Sequence, residues 1–297
     1  MTLGIFPNIS KKDILKIVEE IACELKKAGF DFFISDSLLK FKNNFFGNLK
    51  DCSFLPNKEM IEKSDMVISI GGDGTMLCTA FEVRKTSVPI LGVNYGKLGF
   101  LAEFDVEGLK KFWNEIKNNE YVIEERMALL GISNGSDEKL YAINDIVVDK
   151  GPWHKMIELT IKIDDDYVST FPADGIIIAT PTGSTGYSLS TGGPIVNPQA
   201  NVITLSPIAP HSLTMRPLVV SSDQKITVMV NSLHGKVQVS CDGQRAYSFD
   251  CPASVTIQKS KHPVRLVHSN SNDYYEILRN KLYWGLDVRK TNKNTSE

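Results

Sequence analysis

An α/β domain followed by an all-β domain is the fold class this chain predicts, on three observations. Apolar runs alternate with segments of helical periodicity from Thr2 to about residue 104. From Tyr121 to about Val267 the texture changes to many short strands. At 297 residues the chain is long enough for two domains of ordinary size, each with its own core. The expected division places residues 1–104, rejoined by the C-terminal segment 271–297, in a parallel-sheet domain and residues 105–270 in a β-sandwich.

In order, Thr2 to Phe6 is a short strand. Ser10 is the expected N-cap of a helix whose apolar positions Ile14, Ile17, Val18, Ile21 and Leu25 recur at spacings of three and four, with Gly29 as its C-cap. Phe32 to Ser35, Met66 to Ile70 and Val88 to Val93 are β-rich and bounded by turn residues, and Thr75 to Lys85 is helical between the last two. Strand, helix, strand in this order implies parallel pairing, because the helix must return the chain to the same edge. A helix over Val106 to Asn118 follows. The later strands include Ala142–Val148, Ile157–Ile163, Gly175–Ala179, Lys225–Val230, Lys236–Ser240 and Ala246–Phe249, and the chain returns to helix over Asp273 to Trp284 before a frayed polar tail, 289–297.

Charge and cysteines remove several classes of function. Lys and Arg total 33 against 35 Asp and Glu, a net charge of −2, so no global field draws the chain to nucleic acid or anionic lipid. No apolar run approaches a membrane span and the N-terminus lacks the order of a signal peptide, so the expectation is a soluble cytoplasmic protein. Cys23, Cys52, Cys78, Cys241 and Cys251 are odd in number, scattered and never CxxC, which disfavours a disulfide framework or a thiolate metal site. The histidines show no metal-ligand spacing.

Gly71-Gly72-Asp73-Gly74-Thr75 follows the strand MVISI directly and opens a helix. Ligands bind outside the carboxyl ends of parallel strands, where a helix N-terminus offers unpaired N–H groups to a phosphate and glycine lets it approach the backbone. Asp73 is out of place beside phosphates unless it accepts a proton from an attacking hydroxyl or helps hold Mg²⁺; the bland alternative is a tight Asp-Gly turn. Leu77 stands where GxGxxG needs glycine, and Gly92 to Leu98 has one residue too few for a P-loop and no hydroxyl after its lysine. The window Asp174–Ile195, DGIIIATPTGSTGYSLSTGGPI, holds five glycines, seven Ser or Thr and one charge in 22 residues. An apolar strand feeds it and two prolines stiffen it, so it points to recognition of a polar, phosphate-bearing ligand rather than to a linker. Asn144-Asp145 interrupts an apolar strand, either as a bulge or edge feature or as groups aimed at a ligand such as a ribose diol. Cys241-Asp242-Gly243-Gln244 is a hairpin turn between two alternating strands.

Taken together, GGDGT at 71–75, GVNYGKLGFL at 92–101, the Asn-acidic pair at 144–145, the 174–195 window, PIAPHSLTMRPLV at 207–219 and CDGQ at 241–244 resemble the ATP-NAD kinase family, in family order. GGDGT alone also resembles motifs of diacylglycerol-type lipid kinases and phosphofructokinases. The family resemblance implies a Rossmann-like nucleotide-binding domain, a β-sandwich NAD-binding domain, an active site in the cleft between them, and phosphoryl transfer from ATP to the 2′-hydroxyl of the adenosine ribose of NAD⁺. It implies a divalent metal, Mg²⁺, held mainly by the ATP phosphates, and a homodimer or homotetramer. Carried over, Asp73 is the general base and Gly74 part of the dinucleotide-contacting turn; Asn144 and Asp145 hold ribose hydroxyls. Thr182, Thr185, Gly186, Tyr187, Ser188, Leu189 and Ser190 line the NAD site and Asp174 faces the nicotinamide end. Ala209 comes from a neighbouring subunit, Gln244 brings the 241–244 turn to the substrate, and Lys155 contacts nucleotide, a solvated lysine being its alternative reading. The chain departs from the family in three places: Asp145 replaces the commoner Glu, Pro172 an arginine or aromatic residue, and Cys78 an arginine. A lipid or sugar kinase using the same turn would need a membrane-facing apolar or basic patch or a sugar-phosphate pocket, and no amphipathic basic stretch supports the lipid version; a dinucleotide-binding sensor would gain nothing from Asp73 beside phosphates.

Overall fold

The computed structural model describes residues 1–95, 99–134, 136–270, 273–283 and 285. Residues 96–98 of the 92–101 motif, Trp284 and the 289–297 tail lie outside the described residues. The chain divides into two compact units, the first Met1–Glu82, Val88–Glu124 and Arg265–Glu297, the second Val83–Ser87 and Glu125–Val264.

In the first unit, strands β1 (Thr2–Pro7), β2 (Asp31–Ser35), β3 (Phe54–Leu55), β4 (Met66–Gly71), β5 (Ile90–Asn94), β6 (Tyr121–Arg126) and β19 (Val264–Ser269) form one sheet in the order β3-β2-β1-β4-β5-β19-β6. The pairs β1 with β2, β1 with β4, β4 with β5 and β5 with β19 are parallel. Every residue of β4 and β5 is buried, as expected where helices cover both faces of a parallel sheet. Helix α1 (Ile14–Ala28) buries Ile14, Ile17, Val18, Ile21 and Leu25 and ends on Gly29, whose φ of 76° only glycine adopts without strain. Its N-terminus departs from expectation: Asp13 precedes the helix, and Ser10 is turned into a local loop, where its N–H and hydroxyl both donate to the Asn8 side chain. A short helix, α2 (Asn57–Glu62), and two 3₁₀ segments lie in the stretch that carried no sequence signal. Helix α3 (Asp73–Val83) follows β4, and α4 (Val106–Asn118) follows β5.

The observed boundary differs from the expected one at residues 104 and 270. Leu109, Phe112, Trp113 and Ile116 of α4 are buried in the core of the parallel sheet, and β19 pairs with β5 through Leu266↔Ile90 and Val267↔Leu91, so both elements belong to the first unit. Short strands alone do not reveal which sheet a strand joins, and on pattern alone β19 looks like one more strand of the sandwich. The final helix, α6 (Tyr274–Leu282), is shorter than expected.

The second unit is a sandwich of two antiparallel six-stranded sheets. Its strands are β7 (Leu129–Ser133), β8 (Lys139–Ala142), β9 (Asp145–Asp149), β10 (Ile157–Ile163), β11 (Asp166–Ala173), β12 (Gly175–Ala179), β13 (Val202–Ile208), β14 (Leu218–Ser221), β15 (Ile226–Asn231), β16 (Lys236–Cys241), β17 (Arg245–Asp250) and β18 (Ala253–Lys259). One sheet runs β11-β10-β15-β18-β7-β8, the other β14-β13-β12-β9-β16-β17. Leu129, Leu140, Leu159, Val228 and Val255 of the first and Ile146, Val148, Ile178, Leu205 and Val239 of the second share one buried core. Helix α5 (Tyr187–Ser190) interrupts the connection from β12 to β13. Among the described residues no helix is long and apolar enough to cross a membrane, and none of the five cysteines forms a disulfide.

Candidate active site

In the first unit the site is the strand-to-helix turn at 71–75. Strand β4 ends at Gly71, and Thr75 and Met76 donate their N–H groups to the Gly72 carbonyl at 2.9 and 3.0 Å, starting the helix at once. Gly71 cannot be otherwise, because a Cβ there would overlap the Thr75 side chain. Thr75 Oγ1 accepts a bond from Asn8 Nδ2 at 2.9 Å, which ties the end of β1 to the turn. The Asp73 carboxylate accepts two backbone N–H bonds, from Phe100 to Oδ2 and from Leu101 to Oδ1, each 2.9 Å. Asp73 therefore does more than shape a turn: it pins the segment after β5 beside the helix N-terminus. Gly74, next to it, is exposed.

In the second unit the polar pair sits at a break. The expected strand 142–148 is two strands, β8 and β9, and Ile143 and Asn144 lie between them. What holds the break is Asp242. Its Oδ1 accepts the N–H of Asn144 at 2.7 Å, of Ile143 at 2.9 Å and of Asp145 at 3.3 Å, while Oδ2 meets Arg245 Nη2 at 3.2 Å. From the other side, the Asn144 carbonyl accepts the Thr180 N–H at 2.8 Å and the Ile143 carbonyl accepts a short bond from the Thr180 hydroxyl. Gly183 packs directly on the Asn144 backbone, leaving no room for a Cβ.

A pocket of about 310 Å³ opens over this break, lined by Asn144, Asp145, Val147, Tyr187, Ser240, Asp242 and Gly243. Gly186 overhangs it: a Cβ there would lie 3.7 Å from Asn144 Nδ2 and 3.9 Å from Asp145 Oδ2. Asn144 Oδ1 is buried and has no hydrogen-bond partner, which in a native fold marks a place for water or ligand. Burial, and then the neighbouring Asp242 carboxylate, push the Asp145 carboxyl up to about 7. Burial also raises Asp242, opposed by the backbone N–H groups and Arg245.

The structure sorts the remaining candidates into two ends of β12. At its carboxyl end stand Thr182 and Thr185 in a 3₁₀ turn, Gly186, and Tyr187, Ser188, Leu189 and Ser190 in α5, with Asn144, Asp145 and the exposed Gln244 of the 241–244 hairpin. The other end, roughly 17 Å of extended strand away, holds Asp174, Lys155 and Ala209. Asp174 pairs with Lys150 at 2.7 Å, its N–H bonds the Ile208 carbonyl at 3.0 Å, and Ala209 next in sequence has φ of 44°, a left-handed conformation rare for alanine. Lys155 is exposed in the turn between β9 and β10. One chain thus does not bring Asp174, Lys155 and Ala209 to the Asn144–Asp145 pocket.

Several hydroxyls expected to face a ligand are engaged in holding the loop. Ser188 is fully buried against Ser206 Oγ at 2.9 Å, Ser190 bonds the Tyr187 carbonyl at 2.7 Å, and Thr185 bonds the Thr182 carbonyl at 3.3 Å. Thr182 receives a long bond from Arg126 at 3.5 Å. Three residues that hold the pocket are not evident from sequence: Asp242, which reads only as a hairpin residue, Thr180 and Gly183. The hairpin itself is as expected, with positive φ at Asp242 (54°) and Gly243 (61°). Among the described residues no three His, Cys, Asp or Glu side chains cluster as metal ligands; His268 lies between Glu103 at 2.7 Å and Glu124 at 3.1 Å as a core histidine.

Two family models match the chain, the ATP-NAD kinase N-terminal domain over residues 3–121 and the ATP-NAD kinase C-terminal domain over residues 143–269. The chain is 39% identical to an NAD kinase of Chlorobium phaeovibrioides over 97% of its own length and 100% of that protein's. It is 44% identical to an NAD kinase of Clostridium botulinum over 78% of this chain and 83% of that one. Among solved structures, an NAD kinase from Archaeoglobus fulgidus in complex with ATP matches with a TM-score of 0.75 and 27% identity, over 95% of this chain and 99% of that one. Yeast NADH kinase complexed with NADH matches the fold with a TM-score of 0.89 at 24% identity, over 97% of this chain and 89% of that one. A strand-to-helix turn carrying Asp73, an amide and a carboxyl presented at a strand break, and matches to both family domains lead to one conclusion: the chain belongs to the ATP-NAD kinase family.

Proposed function

We propose that this protein transfers a phosphoryl group from ATP to the 2′-hydroxyl of the adenosine ribose of NAD⁺, giving NADP⁺ and ADP. The observation that carries this reading is the Asn144–Asp145 pair. A buried carboxyl beside a buried, unpartnered amide oxygen, in a pocket floored by a strand break and bordered by Tyr187, suits the two adjacent hydroxyls of a ribose, each of which must donate a hydrogen bond. Tyr187 offers a flat apolar face for a base.

Asp73 is the proposed general base. Its two backbone N–H bonds fix the carboxylate in place and leave further lone pairs on each oxygen to accept a hydroxyl proton. A carboxylate is a weak base toward an alcohol, which phosphoryl transfer tolerates because its loose transition state depends mostly on positioning and on neutralising phosphate charge. The turn at Gly72 to Gly74, half-buried at Gly72 and Asp73 and exposed at Gly74, offers backbone N–H groups to the donor phosphates. The divalent cation enters this reading as part of the substrate, carried on the ATP phosphates. Asp174, Lys155 and Ala209 lie far from the ribose pocket along one chain; in the proposed homo-oligomer they serve the far end of the dinucleotide or a neighbouring subunit's site.

The test is formation of NADP⁺ from NAD⁺, ATP and Mg²⁺, read by an NADP⁺-specific dehydrogenase. Asp73→Asn is expected to lose turnover at least a hundredfold while calorimetry still registers NAD⁺ binding. Full turnover by Asp73→Asn would overturn the base assignment, and absence of NADP⁺ with the wild-type protein would overturn the function.

A further inference from the structure

Asp242 is placed in a way the hairpin does not require. A two-residue turn with positive φ at both central positions is served at least as well by Asn-Gly as by Asp-Gly, and asparagine would carry no charge. Here a carboxylate is buried to 7% exposure instead, and a buried charge is costly unless strongly hydrogen-bonded. Its partners are the consecutive N–H groups of Ile143, Asn144 and Asp145, almost a hundred residues earlier in the chain, all on Oδ1, with the Ile143 N–H shared with Oδ2, where Arg245 also binds. Three successive N–H groups converging on one oxygen determine how the chain turns between β8 and β9, and therefore the direction in which the Asn144 and Asp145 side chains project. Arg245 is anchored in turn by the Tyr141 carbonyl at 2.8 Å.

We propose that Asp242 is a positioning residue for substrate recognition: by gathering the backbone of residues 143–145 it aims the Asn144–Asp145 pair at the ribose hydroxyls, and with Arg245 it governs the charge that Asp145 carries. The proposal rests on the reading of that pair as the ribose site. The Asp242 side chain is fully buried, so in this role it acts through the 143–145 backbone. Electrostatically its charge faces Asp145, Arg245 partly offsets it, and the adjacent Cys241 and Tyr141 are kept neutral by burial, Cys241 pushed up to about 12, with Arg84 beyond Tyr141. Ribose hydroxyls donate to a carboxylate better than to a carboxylic acid, so affinity for NAD⁺ rises with pH as Asp145 ionises.

The experiment compares wild type, Asp242→Asn and Arg245→Met in calorimetric titrations with NAD⁺ from pH 5.5 to 8.5, alongside KM for ATP and thermal midpoints. Asp242→Asn keeps a favourable turn residue but loses the charge and the ion pair. It is expected to weaken NAD⁺ binding roughly tenfold or more at pH 8, to leave KM for ATP within about twofold, and to move the midpoint of the pH dependence toward acid. Arg245→Met leaves the Asp242 charge uncompensated and is expected to move that midpoint the opposite way. Opposed shifts are a result that mere loss of structure does not give. Wild-type NAD⁺ affinity and an unmoved midpoint in both variants would overturn the proposal while leaving the ribose reading intact; midpoints moving in the same direction would overturn it too. Failure of the wild-type protein to bind NAD⁺ would overturn the ribose reading and the proposal with it.

Discussion

Asp145→Asn should stabilise the protein at alkaline pH while impairing it as an enzyme. The Asp145 carboxyl is 5% exposed and its pKa is raised from 3.8 to about 7, first by burial and then by the Asp242 charge. A folded-state pKa above the unfolded one means that ionisation opposes folding. The penalty is absent below 3.8, grows from there to about 7, and is flat above. About three units at about 1.4 kcal/mol each set a ceiling of about 4 kcal/mol. Burying an amide in place of the carboxyl returns about 1–2 kcal/mol of that. The expected net gain is then about 2–3 kcal/mol at pH 8 and close to zero at pH 5, where most of the penalty has gone. The difference between the two pH values, about 3 kcal/mol, is the firmer quantity, since the cost of the amide is the same at both.

Urea denaturation of ligand-free protein at pH 5 and pH 8, followed by a probe in the β-sandwich unit, reads this directly. The variant's midpoint should exceed the wild type's at pH 8 and match it at pH 5. NAD⁺ should protect the wild type and not the variant, because a ligand stabilises only the state that binds it. An equal midpoint difference at both pH values, or a variant less stable at pH 8, would refute the argument that an ionised carboxylate is being held in a place that disfavours it.

Two further substitutions test the turn of the first unit and the pocket of the second separately. Gly183→Ala would drive a Cβ into the backbone of Asn144, which cannot step aside; the expected loss is about 2–3 kcal/mol or more, with NAD⁺ binding lost, and an unchanged thermal midpoint would contradict it. Gly99→Ala would put a Cβ against the Asp73 carboxylate. Turnover should fall while calorimetric NAD⁺ binding persists, and wild-type turnover would show that the Asp73 arrangement does not matter to the reaction.

The signals that are legible in the sequence are local ones. Periodicity in α1, continuous apolar runs in β4 and β5 and the glycines of 71–74 each follow from nearest neighbours along the chain, and each element forms where its pattern lies. Asn144 and Asp145 are legible as an anomaly, two polar residues in an apolar strand, and the anomaly is the strand break itself. What holds that break is not legible, because Asp242 meets the 143–145 backbone across almost a hundred residues and its own surroundings look like an ordinary turn. The domain boundary is hidden for a related reason. Whether Val264–Ser269 pairs with a parallel or an antiparallel neighbour depends on which sheet takes it up, and six residues carry no record of that.

The Gly/Ser/Thr window spends most of its hydroxyls on holding itself together. Its hydroxyls look like ligand contacts, yet Thr180, Ser184, Thr185, Ser190 and Thr191 each donate to a carbonyl, that of Thr180 in Ile143 and the others within the window itself, while Ser188 pairs with Ser206. A segment that must turn sharply from β12 into a 3₁₀ turn and a four-residue helix has few regular backbone partners, and short hydroxyl side chains supply the missing ones. Glycine has the complementary role, since Gly183 and Gly193 are places where another group occupies the volume of a Cβ, the Asn144 backbone in one case and the Ser188 side chain in the other. On the proposed reading, what this self-bonded loop offers a ligand is mainly shape, a ledge at Gly186 and Tyr187 beside Asn144 and Asp145. On the same proposed reading, such a neutral ledge is also how a chain of net charge −2 can hold an anionic dinucleotide without a basic patch: the amide and the carboxyl take the ribose hydroxyls, and the phosphates are left to backbone dipoles and the cation that ATP carries.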